Sequence, residues 1–198
     1  MDKPKRKKST MTYALLFFLA SIIILYLFSK SVWIKRIRYP LDYTEHIQKY
    51  AAEYSLDPHL VASVIWVESK YRPDAVSRRD ARGLMQITPS TGQCGAEKMG
   101  ILDFDDSQLF DSEMNIRIGC WYLNYLSRQF PDSPQLILAS YNGGIGNVKK
   151  WLQDETYSKD GETLDDIPFK ETQEYVILVL DSYKIYKEIY PSLDLDSK

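Results

Sequence analysis

The chain has 198 residues, of which 44% are hydrophobic and 26% charged. That is enough for one folded domain with a sizeable core and excludes a disordered polymer. Two Cys exclude a disulfide-dense mini-domain or a four-Cys zinc module, and two His (His46 and His59) leave no HExxH motif and no three-His site, so no metal or other cofactor is expected. The net charge of −2 hides a division. Residues 1–38 hold nine Lys/Arg against one Asp, whereas residues 39–198 hold 16 Lys/Arg against 26 Asp/Glu and carry −10. Such a body is a poor match for nucleic acid, whose binding rests on neutralising phosphates.

The basic segment has a different explanation. Residues 1–10 form a basic tail, and Met11 to Phe28 follow as eighteen uncharged residues centred on LLFFLASIIILYLF. At about 1.5 Å per residue this run nearly crosses a hydrocarbon core of roughly 30 Å. Val32, Trp33 and Ile34 extend it, so residues 11–34 are expected to be a transmembrane helix or an uncleaved signal. Five basic residues before the span against four after it bias the N-terminus inward and the body outward.

Residues 39–198 read as successive helices with short breaks. Ile47, Tyr50, Ala51 and Tyr54 recur at helical spacing over 43–54. Asp57-Pro58 is a cap followed by a first-turn proline and opens a helix through HLVASVIWVESK. Asp111 or Ser112 opens EMNIRIGCWYLNYLSRQF. Ser133-Pro134 repeats the Asp57-Pro58 device before QLILASYN, which Gly143-Gly144 ends, and Glu171–Tyr190 forms a long last helix. Residues 71–83 and 153–168 read as loops, and no alternating run supports a substantial sheet. Gly144-Ile145-Gly146 lacks a third glycine and a preceding strand, so it is not a dinucleotide site. Asp103, Asp105 and Asp106 lack the EF-hand offsets and read as a solvated acidic loop.

Glu68 stands out. Val61, Val64 and Ile65 precede it by seven, four and three positions, so at ~100° per residue a carboxyl ends a stripe that faces the core. Burial disfavours the charged form and keeps a proton available near neutral pH, as a general acid at a glycosidic oxygen requires. The same position also suits a helix-end glutamate that reaches solvent or pairs with Lys70 or Arg72.

Around Glu68 four motifs occur in order: Glu68-Ser69, then Gly83-Leu84-Met85-Gln86, then Ala139-Ser140-Tyr141-Asn142-Gly143-Gly144, then Pro168 to Val176 as PFKETQEYV. Together they resemble the catalytic domain of the soluble lytic transglycosylase family, related to goose-type lysozymes, over roughly residues 43–190. The resemblance implies a mainly α, lysozyme-like fold that cleaves the glycan strands of bacterial peptidoglycan. It makes Glu68 the sole catalytic acid/base. In such enzymes this residue protonates the oxygen between N-acetylmuramic acid and N-acetylglucosamine, then takes the proton of the muramic acid C6 hydroxyl as that oxygen attacks C1 and closes a 1,6-anhydro ring.

Other positions carry over singly. Ser77 matches a serine that holds the substrate N-acetyl group, with an ordinary loop hydroxyl as the alternative. Gln86 matches a glutamine lining the cleft, or fixes its loop. Tyr141 and Asn142 match the tyrosine and asparagine of the family's AYN motif, with Tyr141 expected to turn its hydroxyl towards Glu68. Ser140 and Gly143 depart from the usual Ala at their positions. Tyr175 matches an aromatic that contacts sugar, or packs. Glu171 supports the site, or is a helix-start carboxylate.

The expectation is a membrane-anchored peptidoglycan lytic transglycosylase, single-pass in the bacterial cytoplasmic membrane, with its catalytic domain outside. A muramidase of the same fold and a silent glycan-binding scaffold are the competing readings. Cys94 and Cys120 either close a disulfide loop of about 25 residues or remain two buried thiols.

Overall fold

The computed structural model describes residues 6–29 and 31–194. By its internal contacts the chain divides into two compact units, Met1–Pro40 and Leu41–Lys198.

In the first unit, α1 (Arg6–Ser29) exposes its apolar side chains all round, among them Phe17, Leu25 and Tyr26. It starts inside the expected basic tail, because Lys, Arg and Ser let a helix nucleated in the apolar run propagate towards the N-terminus. Residues 1–5 of that tail lie outside the described residues. The expected span over 11–34 falls on two helices, α1 and α2 (Val32–Arg38). Among the described residues no single helix is long and apolar enough to cross a membrane. Met11–Leu27 and Val32–Arg38 together are, with a bend of 62° between them.

The second unit is mainly α. Its elements are α3 (Thr44–Glu53), α4 (Pro58–Ser69), α5 (Pro89–Lys98), α6 (Ser112–Gln129), α7 (Pro134–Gly143), α8 (Ile145–Leu152) and α9 (Lys170–Ile189), with 3-10 turns at Asp106–Phe110 and Pro191–Asp194. Among the described residues β structure is confined to isolated bridges, which pair Arg82 with Val76 and with Ile87. The expected caps are present. Asp57 accepts from the His59 N–H, Asp111 from Met114 and Ser133 from Leu136, while Gly144, at φ +86°, stops α7.

α4 is the central helix. It buries Val61, Ala62, Ser63, Val64 and Ile65 completely and packs along α9, with α3 also against it. α7 rests on α6, α8 and α9. At the N-terminal end of α4 the Asp57 carboxylate also accepts from the Tyr183 hydroxyl at 2.6 Å and Lys187 Nζ at 3.3 Å, which ties the helix to the far end of α9. Burial pushes the Asp57 pKa up, but the bonds from Tyr183, His59 and Lys187 outweigh it and hold the carboxyl below its usual range.

Two helices were not expected from the sequence. α5 contains Gly92 and Gly95, poor helix formers. It forms because Thr88 caps it, Pro89 starts it, and Gly95 lets α6 come close, a Cβ there being only 3.0 Å from the Trp121 ring. α8 follows directly on the Gly144 break and is held by buried Val148 and Trp151. The acidic segment is also more ordered than a solvated loop, since Asp105 and Gln108 form a capping box on the turn Asp106–Phe110.

Cys94 and Cys120 are free thiols, and they are not both buried. α5 buries Gly92, Gly95 and Ala96 and leaves Cys94 exposed, while Cys120 is enclosed in α6. Burial raises the Cys120 thiol far above its usual range.

Candidate active site

The last turn of α4 opens on a cleft of about 490 Å³. Glu68 sits there, two residues before the left-handed Lys70 (φ 55°) that ends the helix. The apolar stripe alone does not single it out, because α4 is buried on nearly every side. Its place where the central helix runs out to the cleft does.

The residue as a whole is half-buried, since one side faces the cleft, yet its carboxyl is packed densely enough to matter. Desolvation is the main cause that pushes its pKa from 4.5 up to about 7; the Tyr175 hydroxyl opposes this and the Glu171 charge adds to it. Neither expected cation pairs with it. Lys70 Nζ lies 4.1 Å above the Trp66 ring, and Arg72 donates to the Ser69 carbonyl.

α9 brings two of the expected residues. Tyr175 is buried, and its hydroxyl has no partner of ordinary hydrogen-bond geometry. Glu68 is the acid it faces. The two groups still interact, lowering the pKa of Glu68 and raising that of Tyr175, so a donor stands ready for the carboxylate that forms when Glu68 loses its proton. Glu171 lies in the first turn of α9, is exposed, and acts on Glu68 through its charge.

α7 brings Tyr141 and Asn142. The Tyr141 hydroxyl, expected to turn towards Glu68, gives its hydrogen bond to the Met85 carbonyl at 2.8 Å. Burial raises the pKa of this hydroxyl, and it lies close enough to Glu68 for that charge to raise it further. Asn142 Oδ1 accepts from Thr172 at 2.8 Å, which fixes the amide in the cleft wall.

The loop between α4 and α5 supplies the rest. Ser77 Oγ accepts from the Ala81 N–H at 3.0 Å and the Arg79 N–H at 3.2 Å. It shapes a turn at the cleft. Gln86, at φ +48°, donates from Nε2 to the carbonyls of Ala75 and Gly83 at 3.1 and 3.0 Å while still lining the cleft. Gln86 thus combines the two roles that the sequence left open, while Ser77 fixes its loop and lines the cleft.

Several contributors escaped the sequence reading. Asn115 of α6 is fully buried, accepts from Met85 N at 2.7 Å and donates to the carbonyls of Arg82 and Leu109 at 2.9 and 2.7 Å. It pins the Gly83–Gln86 turn from behind. Gly83 did not escape that reading: the sequence expects a turn there that a Cβ would hinder, and at φ +75° a Cβ would run into the Leu109 carbonyl and Asn115. Arg78, Arg79 and Thr88 also line the cleft, the two arginines from exposed positions. An adjacent Arg-Arg in a loop gives no pattern to read, and an Asn within α6 looks like any polar helix residue. Nothing short of the fold assigns them.

A carboxyl whose pKa is raised to about 7, at the end of a central buried helix and facing a loop and two helices, is an arrangement with known relatives. The family model for the Transglycosylase SLT domain matches residues 45–164. The chain belongs to this family. The match ends before α9, so Glu171 and Tyr175 lie beyond it. The soluble lytic murein transglycosylase of Escherichia coli (strain K12) is 33% identical over 153 residues, 75% of this chain and 24% of that protein. The membrane-bound lytic murein transglycosylase C of Yersinia pestis (strain Pestoides F) is 35% identical over 115 residues, 54% of this chain and 32% of that protein. Among solved structures, an inactive Glu-to-Gln mutant of lytic transglycosylase Slt from Pseudomonas aeruginosa superposes with a TM-score of 0.69 at 34% identity, over 77% of this chain and 25% of that one. The 70 kDa soluble lytic transglycosylase of Escherichia coli gives 0.71 at 30% identity, over 80% and 26%. The chain therefore spans about a quarter of the length of its soluble relatives.

Proposed function

We propose that this SLT-family chain is a membrane-anchored peptidoglycan lytic transglycosylase, with Glu68 as its single acid/base. The observation that carries the reading is the Glu68 carboxyl with a pKa of about 7 on a cleft of the SLT fold, because such a group is present at neutral pH in both protonation states. Protonated, it gives its proton to the glycosidic oxygen between N-acetylmuramic acid and N-acetylglucosamine as the C1–O bond breaks. The resulting carboxylate takes the proton of the muramic acid C6 hydroxyl while that oxygen bonds to C1, which leaves a 1,6-anhydro end and restores the acid. The Tyr175 hydroxyl steadies the carboxylate between the two steps. Ser77 holds the N-acetyl group, Asn142, Gln86 and Tyr141 shape the wall, and the Glu171 charge adds to the desolvation that raises the Glu68 pKa. The Arg78 and Arg79 cations suit the carboxylates of attached peptides.

Membrane attachment is supported by α1, whose apolar side chains find no cover in their own unit, and by the joint length of α1 and α2. With the basic residues favouring an inward N-terminus, the SLT domain lies outside the cytoplasmic membrane, where its substrate is.

The test is digestion of purified peptidoglycan followed by mass spectrometry of the products. Wild type yields 1,6-anhydromuramic ends and Glu68→Gln, with its fold intact by circular dichroism, yields none. Reducing ends, one water heavier, would replace this reading with a muramidase.

A further inference from the structure

The cleft does not stop at Tyr141. Gln86, Thr88, Tyr141 and Asn142 also line an adjoining hollow of about 230 Å³, and two residues of that hollow, Thr91 and Tyr122, line a third space of about 460 Å³ between α5 and α6. The three share walls in sequence, so one trough leads from Glu68 to the outer face of α6.

The far end of this trough is aromatic. Trp121, Tyr122 and Tyr125 lie on one face of α6, with ring centroids 6.1–6.3 Å apart and planes within 28° of parallel. Trp121 is backed by Gly95, whose missing Cβ lets the indole lie against α5, and Tyr125 is 40% exposed. Lys98, Ser90 and Thr91 place donors at the edge of the shelf. Near-parallel rings braced on two helices, rimmed by hydroxyl and ammonium donors, match a pyranose ring, which presents an apolar C–H face and a polar edge. Rigid rings of this kind also lose little rotamer freedom on binding.

We propose that the α5–α6 groove is a distal saccharide subsite, occupied by sugar rings of the same strand whose scissile bond lies at Glu68. The proposal rests on the glycan reading of the cleft, and the continuity of the trough selects the occupant: a strand leaving the hollow beside Tyr122 meets the Trp121 ring next. The subsite makes the protein sensitive to strand length, binding long strands more tightly than the cleft alone would.

The experiment uses the full chain in detergent, in the Glu68→Gln background, with peptide-free tetra-, hexa- and octasaccharides of alternating N-acetylglucosamine and N-acetylmuramic acid. Affinity is expected to rise about tenfold between the tetrasaccharide and the octasaccharide. Trp121→Ala and, separately, the surface change Tyr125→Ala remove most of that gain while leaving tetrasaccharide affinity within about twofold. The octasaccharide, but not the tetrasaccharide, slows alkylation of the exposed Cys94, a readout that needs no substitution at the shelf. A flat length dependence, or a gain that survives in both variants, overturns the subsite and leaves the cleft reading standing. Failure of every oligosaccharide to bind overturns the glycan reading itself and the subsite with it.

Discussion

Helix α4 carries one carboxyl at each end, and the two are driven in opposite directions. Asp57 at the N-terminus accepts from the His59 N–H at 2.8 Å, from Tyr183 at 2.6 Å and from Lys187 at 3.3 Å, and is held below its usual pKa although burial pulls it up. Glu68, eleven residues on, has one imperfectly placed hydroxyl and a neighbouring carboxylate, and is pushed up to about 7. Burial opposes ionisation at both ends, so the number of donors aimed at each group decides the outcome. The end with donors is a structural clamp, and the end without them keeps a transferable proton.

Exchanging each acid for its amide should separate the two roles. Glu68→Gln is expected to lower glycan cleavage by roughly a thousandfold, measured as released anhydromuropeptides, whereas Asp57→Asn leaves folded enzyme with near wild-type turnover. Equal losses in both variants would remove the distinction.

The cleft end also depends on support that the clamp end lacks. Asn115→Ala leaves the Met85 N–H and the Arg82 and Leu109 carbonyls without their partner, at a cost of roughly 3 kcal/mol. Urea unfolding measures this, and activity should fall with it because the Gly83–Gln86 turn loosens.

The pH dependence of stability carries opposite signs at the two ends. Glu68 is raised in the fold, so its favourable protonated form is fully present below about 4.5 and is lost as pH rises through about 7. Glu68→Gln should therefore gain stability relative to wild type over that window, reaching at most about 3 kcal/mol above it. Asp57 is lowered, so its contribution is present above the ordinary aspartate range and disappears as pH falls through its folded pKa. Asp57→Ala should cost about 1–2 kcal/mol at neutral pH, a difference that vanishes in acid. Denaturation midpoints at several pH values check both, and a shared sign would contradict the comparison.

The smallest effect is a shift of a titration. Tyr175 lowers the Glu68 pKa, so Tyr175→Phe should move the alkaline limb of kcat/KM to higher pH, with little change in stability because the hydroxyl has no bonded partner to lose. A limb that stays in place or moves towards acid would show that Tyr175 does not act on the carboxyl.

Much of this was legible from one-dimensional signals. The caps at Asp57, Asp111 and Ser133 and the first-turn prolines marked helix starts within a residue or so, since capping is a local exchange between a side chain and nearby N–H groups. The motifs around Glu68, Gln86, Tyr141 and Tyr175 pointed to the family that the comparison with SLT domains established. α5 and α8 were missed because their glycines lower helix propensity, and packing against α6 and α7, which outweighs propensity, is not a local quantity. The hydrogen bond of Tyr141 was missed for the same reason. Its partner, the Met85 carbonyl, is 56 residues away in sequence and carries no side-chain signature.

By itself, the sequence determined the apolar N-terminal run, the helical punctuation of the body and the residue types available for acid/base chemistry. All of these follow from periodicity and from contacts within a turn of the chain. The tertiary structure alone decided that Glu68 lacks a cation while Asp57 has one, that Asn115 pins the loop behind the cleft, that Cys94 faces out, and that Trp121 lies at the end of a trough beginning at Glu68. Each of these depends on which groups from distant segments meet, and desolvation and hydrogen bonding act on that neighbourhood rather than on the order of residues along the chain.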